Sequence, residues 1–420
     1  MDASLQALAR KPGLHRPTLE RSQSLPLRSA PAQQTMLAEL GVADGPRLTP
    51  DEEAVLRELR FHRPRTPRDI VLFTDPNKDS DDVVTYTIGK QLQDEGFVRL
   101  KDVVVTLGDA QVRAQRAQVA RGVFDRLELP DVRVSRGQDY AMNAIQVDEH
   151  AKFLHEGHSF RAAPADVDTD SPGAMRDRLR DAPHPLSLVV IAGMTDANAL
   201  ITHSRDLVRD RIETITIMGG IDPAKDADGF VQPDTRAYNN TTDMDAARSF
   251  YRRAQELGIP MRIVTKEAAY KTAVPPSFYE GIASSGHPVG EYLRNVQRNA
   301  LEGLWNGIQA GLLPGLDAPW FFRTFVSQEK ADSGRLEKQA AIAFDDIWPQ
   351  VTKLNLYDPL TLLAALPGTA RLLFKPQAIQ TEGFSLVEHV GHDEVERPEK
   401  AKRLMSALAK AALAMKGGAP

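Results

Sequence analysis

The sequence predicts an α/β fold, an open and mostly parallel central sheet with helices on both faces. Two observations predict it. From residue 66 onward short β-branched runs recur, each followed by a longer segment of helical character, and the runs are apolar throughout rather than alternating. Strands covered on both faces read as continuous apolar stretches, and strands that alternate with helices pair in parallel. The predicted strands are 69–73, 100–107, 132–134, 188–192, 214–218 and 261–264, with helices at 82–95, 110–127, 196–203, 243–257 and 289–310. The stretch 313–335, with Trp320-Phe321-Phe322, has no clear period and reads as a lid or an insertion. Residues 398–414 read as an amphipathic helix that caps the domain, and no internal repeat is visible. Ligands of such sheets bind beyond the carboxyl ends of the strands.

Composition narrows the function. A formal charge of -5 offers no basic surplus for nucleic acid or anionic membrane, so neither is an expected partner. The chain has no cysteine, so disulfides, thiolate nucleophiles and thiolate metal sites are excluded; a metal must be held by oxygen or imidazole. No apolar run approaches the ~20 residues of a membrane span, and the first 30 residues lack the apolar core of a Sec signal peptide.

Residues 1–48 scatter Pro, Ser, Gln and Arg without hydrophobic period, the composition of a segment expected to be disordered; the folded domain is expected over 66–415. Within the tail, Arg21-Ser22-Gln23-Ser24-Leu25-Pro26 matches the RSxSxP pattern that 14-3-3 proteins recognise once the serine is phosphorylated. A phosphate on Ser24 adds about -1.5 to -2 charge for an Arg cluster to hold, and Pro26 turns the peptide out of the groove. The competing reading is a Ser/Arg-rich tail that matches by chance.

After the first apolar strand comes Thr74-Asp75-Pro76-Asn77-Lys78-Asp79-Ser80-Asp81-Asp82 and then a helix. Four carboxylates within eight residues repel one another unless a cation or solvent intervenes. At a strand's carboxyl end they form an oxygen cage, which suits calcium with its six to eight oxygen ligands better than magnesium or zinc. Alternatively Asp79, Asp81 and Asp82 cap the helix, although one aspartate suffices for that. An Asp-x-Asp phosphotransfer loop of the haloacid-dehalogenase type is disfavoured by Pro76 and the absence of an aspartate at the +2 position.

This loop resembles the Asp-Pro-Gly-x-Asp-Asp signature of the nucleoside hydrolase family, with Asn77 for glycine and two extra residues before Asp81-Asp82. Three further segments resemble family motifs in the family's order. They are Ala192-Gly193-Met194-Thr195-Asp196, Met218-Gly219-Gly220 with Ala237-Tyr238-Asn239-Asn240, and Leu356-Tyr357-Asp358-Pro359-Leu360. The resemblance covers about 66–375 and implies a calcium-dependent N-ribohydrolase. It implies Asp75 as the base that activates water, Asp75, Asp82 and Asp358 as metal ligands, Asp196 as a carbonyl ligand, and Asp81, Asp109 and Asn239 as ribose contacts. Asp79 has no counterpart and could join the metal. Tyr238 stacks on a base or covers the ribose, or else packs in the core.

Two departures bear on mechanism. The family's ribose-binding glutamate is Ala237 here, and its leaving-group histidine is Tyr357. Losing a general acid removes about 10²- to 10⁴-fold in rate. Tyrosine can still donate a proton, which keeps Tyr357 as the catalytic candidate. Losing the glutamate's charge makes room for a phosphorylated ligand such as ADP-ribose or a nucleoside monophosphate, with Arg236 and Lys225 as phosphate partners. Tail and domain together are similar to the nucleoside-hydrolase-like type III effectors of plant-pathogenic bacteria. That resemblance implies secretion into the host cytoplasm, interference with plant immunity, and partners that include 14-3-3 proteins and a host immune receptor. Two functions follow: an N-ribohydrolase with a shifted substrate, or a catalytically weak nucleotide-binding effector acting through host proteins.

Overall fold

In the computed structural model, residues 48–76, 80–138, 157–169, 171–313, 315–332, 342–381 and 385–414 are described. The tail motif of Arg21, Ser24 and Pro26, and also Asp79, lie outside the described residues. Ten strands form among the described residues: β1 Arg68–Thr74, β2 Val98–Val105, β3 Arg133–Ser135, β4 Leu186–Val190, β5 Ile212–Gly219, β6 Ile221–Lys225, β7 Val231–Pro233, β8 Met261–Thr265, β9 Gln377–Ile379 and β10 Val387–Val390. Eight of them make one sheet in the order β3-β2-β1-β4-β5-β8-β10-β9, while β6 and β7 make a separate ribbon. All pairings in the large sheet are parallel except that of β9 with β10. The α/β expectation therefore holds.

Strand β1 shows why its run is apolar throughout. Ile70 and Leu72 enter one hydrophobic core, Val71 and Phe73 the other, so alternate side chains are buried on opposite faces. Helices Asp81–Asp94 and Tyr357–Ala365 cover the first face; Thr195–His203 and Met244–Glu256 cover the second. The order runs from β1 to β2 and β3 one way and from β4 to β5 and β8 the other. The crevice beyond the carboxyl ends of β1 and β4 is thus the switch point where such sheets bind ligands.

The stretch 313–335, read as a lid or an insertion, is helical over part of its described length. It contains the helix Ala318–Phe325, whose Phe321 and Phe322 are buried, with the Phe321 ring 5.1 Å from that of Trp305. An eight-residue helix that buries three phenylalanines is too short to display a period.

The compact unit spans Asp44–Pro420 and includes a helix ahead of residue 66, Pro50–Arg60. Its capping box pairs the Glu52 amide with Thr49 Oγ1 and the Thr49 amide with Glu52 Oε2. The same buried Glu52 carboxylate accepts from Lys410 Nζ at 2.8 Å and from the Ser406 hydroxyl, both on the helix Pro398–Leu413. Burial alone would raise this carboxyl, but hydrogen bonds from Lys410, Ser406 and Thr49 hold it below the ordinary 4.5. A depressed carboxylate stabilises the fold fully above its unfolded value, and loses that contribution as pH falls through the folded value. Glu52→Gln is therefore expected to cost about 2 kcal/mol near neutral pH. In thermal melts the gap to the native chain should close below pH 4.5; a gap independent of pH would contradict this role.

Candidate metal and ribose site

Two helices begin at the switch point and bring their first turns together. Asp81 and Asp82 open the helix Asp81–Asp94 after β1, and Asp358 is the second residue of Tyr357–Ala365. All three side chains are buried, and their carboxylate oxygens lie within 4.8 Å of one another. Among the described residues this is the one such group of His, Cys, Asp or Glu.

The surroundings hold this geometry. Asp82 Oδ1 accepts from the Thr74 hydroxyl and, at 3.0 Å, from the Asp75 amide, so the end of β1 is tied to the helix start. Thr74 Oγ1 lies 2.8 Å from the Tyr86 hydroxyl. Burial, together with the charges of Asp82, Asp75 and Asp358, pushes the Tyr86 phenol well above its ordinary value, so Tyr86 stays neutral beside them. Ser80 anchors the loop from the other side: its hydroxyl is 2.6 Å from Tyr279 OH and donates to Gln297 Oε1 at 2.8 Å. No local pattern could have revealed Ser80, Tyr279 or Gln297, because these contacts join segments about 200 residues apart.

Three buried carboxylates at this spacing are costly as isolated charges. A divalent cation removes the cost, and an all-carboxylate donor set suits a hard, oxygen-seeking ion. The residues fit the metal that the sequence motifs imply.

The remaining candidates fall as follows. Asp75 is half-buried and adjoins the trio through the hydrogen bond that its backbone N–H donates to Asp82. Asp81, expected to contact ribose, sits within the carboxylate trio. Asp196 is buried, and its Oδ1 accepts from the Gln138 amide at 2.7 Å. Gly137, at φ +69, makes this approach possible: a Cβ there would sit 2.6 Å from Asp196 Oδ2. Asp109 caps the helix Ala110–Arg126, accepting from Gln111 and Val112 amides. Asn239 donates to the Met218 carbonyl at the end of β5. Tyr238 is 46% exposed, so it is not packed in the core. The Tyr357 hydroxyl lies 3.2 Å from Asn355 Nδ2, which donates to it, and its ring meets that of Tyr270 edge-on at 6.2 Å. Arg236 is engaged by Asp234 within its own turn, at 3.0 and 3.2 Å, and Lys225 is exposed.

The family model for inosine-uridine preferring nucleoside hydrolases matches residues 70–396, a span that contains all four motifs. The chain belongs to this family. Two solved structures are similar to it over most of the chain. The effector protein XOO4466 is 69% identical, and the type III effector XopQ, solved in complex with adenosine diphosphate ribose, is 70% identical. Each covers 87% of this chain and 100% of its own, at a TM-score of 0.80. An inosine-uridine preferring nucleoside hydrolase from Bacillus anthracis is 14% identical over 82% of this chain and 99% of its own, with a TM-score of 0.52, which shows a shared fold alone. No curated protein matches the chain.

Proposed function

We propose that the Asp81, Asp82 and Asp358 carboxylates would hold a calcium ion whose charge would favour the ribose hydroxyls of an ADP-ribose-like nucleotide, and that the pocket hydrolyses N-glycosidic bonds slowly. The observation that carries this reading is the convergence of Asp358 with Asp81 and Asp82 in one buried cluster at the switch point. Binding of ADP-ribose by a relative 70% identical to this chain supports the ligand class.

Bound calcium supplies charge to orient the sugar and to make a water more acidic. The chain's own residues do the rest. Asp75, its backbone fixed by Asp82, takes the proton of the attacking water as the bond from the anomeric carbon to nitrogen breaks. Tyr357, in the place of the family's histidine, donates to the departing group, and its weaker acidity makes turnover slow. Asn239 and Asp196 brace the sugar side of the cleft, with Asp196 contributing its carbonyl to the metal. Ala237, in the place of the family's glutamate, removes a carboxylate from the ribose side and leaves space for a diphosphate.

The test is incubation with calcium and a panel of nucleosides, nucleotides and ADP-ribose, following both free base and melting temperature. The reading expects a rise in melting temperature with ADP-ribose and slow release of base from at least one N-riboside. A stabilising ligand without any base release would leave a binding effector that acts through host proteins, the reading that Tyr357 and Ala237 favour.

Likeness to the effector protein XOO4466 and to the type III effector XopQ supports delivery into the host cytoplasm, where the tail would meet 14-3-3 proteins through phosphorylated Ser24, flanked by Arg21 and Pro26. Capture of 14-3-3 by the full chain is expected after phosphorylation and should be lost in Ser24→Ala; capture that survives the substitution would discard the motif.

A further inference from the structure

We propose that a cavity at the amino edge of the central sheet is an anion site, which takes the phosphate group of a small molecule between Arg68 and Arg371. The cavity measures about 340 Å³, and its lining includes Arg68, Arg371, His62, His184 and Glu213. Arg68 is the first residue of β1 and Glu213 the second of β5, so the cavity lies where these strands begin. The carboxylate trio lies past the other end of β1, about 20 Å away along the strand, and contributes no side chain to the cavity.

The walls are stiff. Pro64, Pro67, Pro185 and Pro367 line the cavity and restrict the backbone around it. The His62 carbonyl approaches Gly368 so closely that a Cβ there would sit 2.7 Å from it, which closes one wall by backbone alone.

The lining cations are only partly neutralised. Asp69, one of the two lining carboxylates, is engaged by Arg99. The other, Glu213, lies 3.1 Å from Arg68 Nε. Arg68 Nη1 donates to the Ser187 and Thr214 hydroxyls at 3.4 and 3.3 Å, while Nη2 makes no hydrogen bond among the described residues. Burial lowers the Arg68 pKa, Glu213 raises it and the Arg262 charge lowers it again, so one carboxylate does not offset what this guanidinium loses. Arg371, on the helix Pro367–Leu373, donates from Nε to the Pro367 carbonyl at 3.1 Å and pairs with no carboxylate among the described residues. Arg63 and Arg65, both exposed, flank the lining residue Pro64 and add to the positive rim. The N–H groups left on the two lining guanidiniums outnumber the about four acceptor sites of a carboxylate and suit the oxygens of a phosphate.

The test is calorimetric titration of inorganic phosphate into the full chain, in chelator so that the ribose site holds no ion. The native chain should bind saturably, with a Kd at or below about 1 mM at fixed ionic strength. Arg371→Gln changes an exposed side chain whose hydrogen bond lies within its own helix. It should melt as the native chain does and bind phosphate about tenfold more weakly. Glu213→Gln removes the carboxylate that competes for Arg68 and should tighten binding about fivefold. Lack of saturable binding by the native chain would overturn the proposal. So would an Arg371→Gln chain that binds phosphate as the native does, or a Glu213→Gln chain that binds it no more tightly. None of these results depends on the ribose site, so failure of either reading leaves the other standing.

Discussion

Asp358→Asn is expected to lower calcium affinity about 100-fold, and to move the melting temperature in opposite directions with and without the ion. Loss of a buried carboxylate from an ion site costs on the order of 3 kcal/mol, which is the hundredfold. Without calcium, the native chain must keep three buried carboxylates within 4.8 Å of one another. Neutralising one relieves that repulsion, so the variant should melt above the native chain in chelator and below it in excess calcium. Asp358 is the better choice than Asp82, whose Oδ1 also receives the Thr74 hydroxyl and the Asp75 amide. Asp82→Ala would leave both donors without their acceptor, mixing loss of metal with loss of local structure. Melting curves of native and Asp358→Asn chains, with calcium and with chelator, decide the matter. A variant less stable in both conditions would show that the trio is a structural network and no ion site.

Asp75→Asn is expected to abolish base release by about 10³-fold while leaving ADP-ribose affinity within a few fold. The backbone of Asp75 carries the structural bond to Asp82, and the substitution leaves it in place. Only the proton acceptor disappears. Tyr357→Phe should reduce the same rate about 10-fold further from an already slow reaction, since the tyrosine is a weak acid to begin with. Single-turnover measurements of base release with the two variants separate these effects. Unchanged turnover in Asp75→Asn would remove Asp75 from the base role.

The repeating units of the sheet were legible because each strand carries its own evidence. Strands such as β1 and β4 are buried on both faces, so six strands and five helices could be located within a few residues from apolar runs alone. Elements whose stability comes from partners were less legible. The helix Pro50–Arg60 owes its place to Glu52 and Glu58, which reach Lys410 and Lys400 near the other end of the chain. The antiparallel β9 at the sheet's edge is three residues long, too short for any period. The helix Ala318–Phe325 was obscured for the same reason.

The site divides along the same line. The acidic loop after β1 and the Asp358 turn were visible, because each carries a motif that resembles the family's. Asp81, expected to contact the sugar, also joins Asp82 and Asp358, a consequence of how two helix N-termini meet that no motif displays. Thr74, Tyr86, Ser80, Tyr279 and Gln297 serve the site through hydrogen bonds that form only in the folded chain.

All of these expectations depend on a cation at the carboxylate trio coupling to the sugar. The most direct measurement is calorimetric titration of ADP-ribose into the full chain, once stripped with chelator and once reloaded with calcium. The account predicts binding in the reloaded protein and its loss, by a factor of about 100 or more, in the stripped protein. Equal affinity in both would mean that the nucleotide is bound without the ion, and would contradict a ribose site built on Asp81, Asp82 and Asp358.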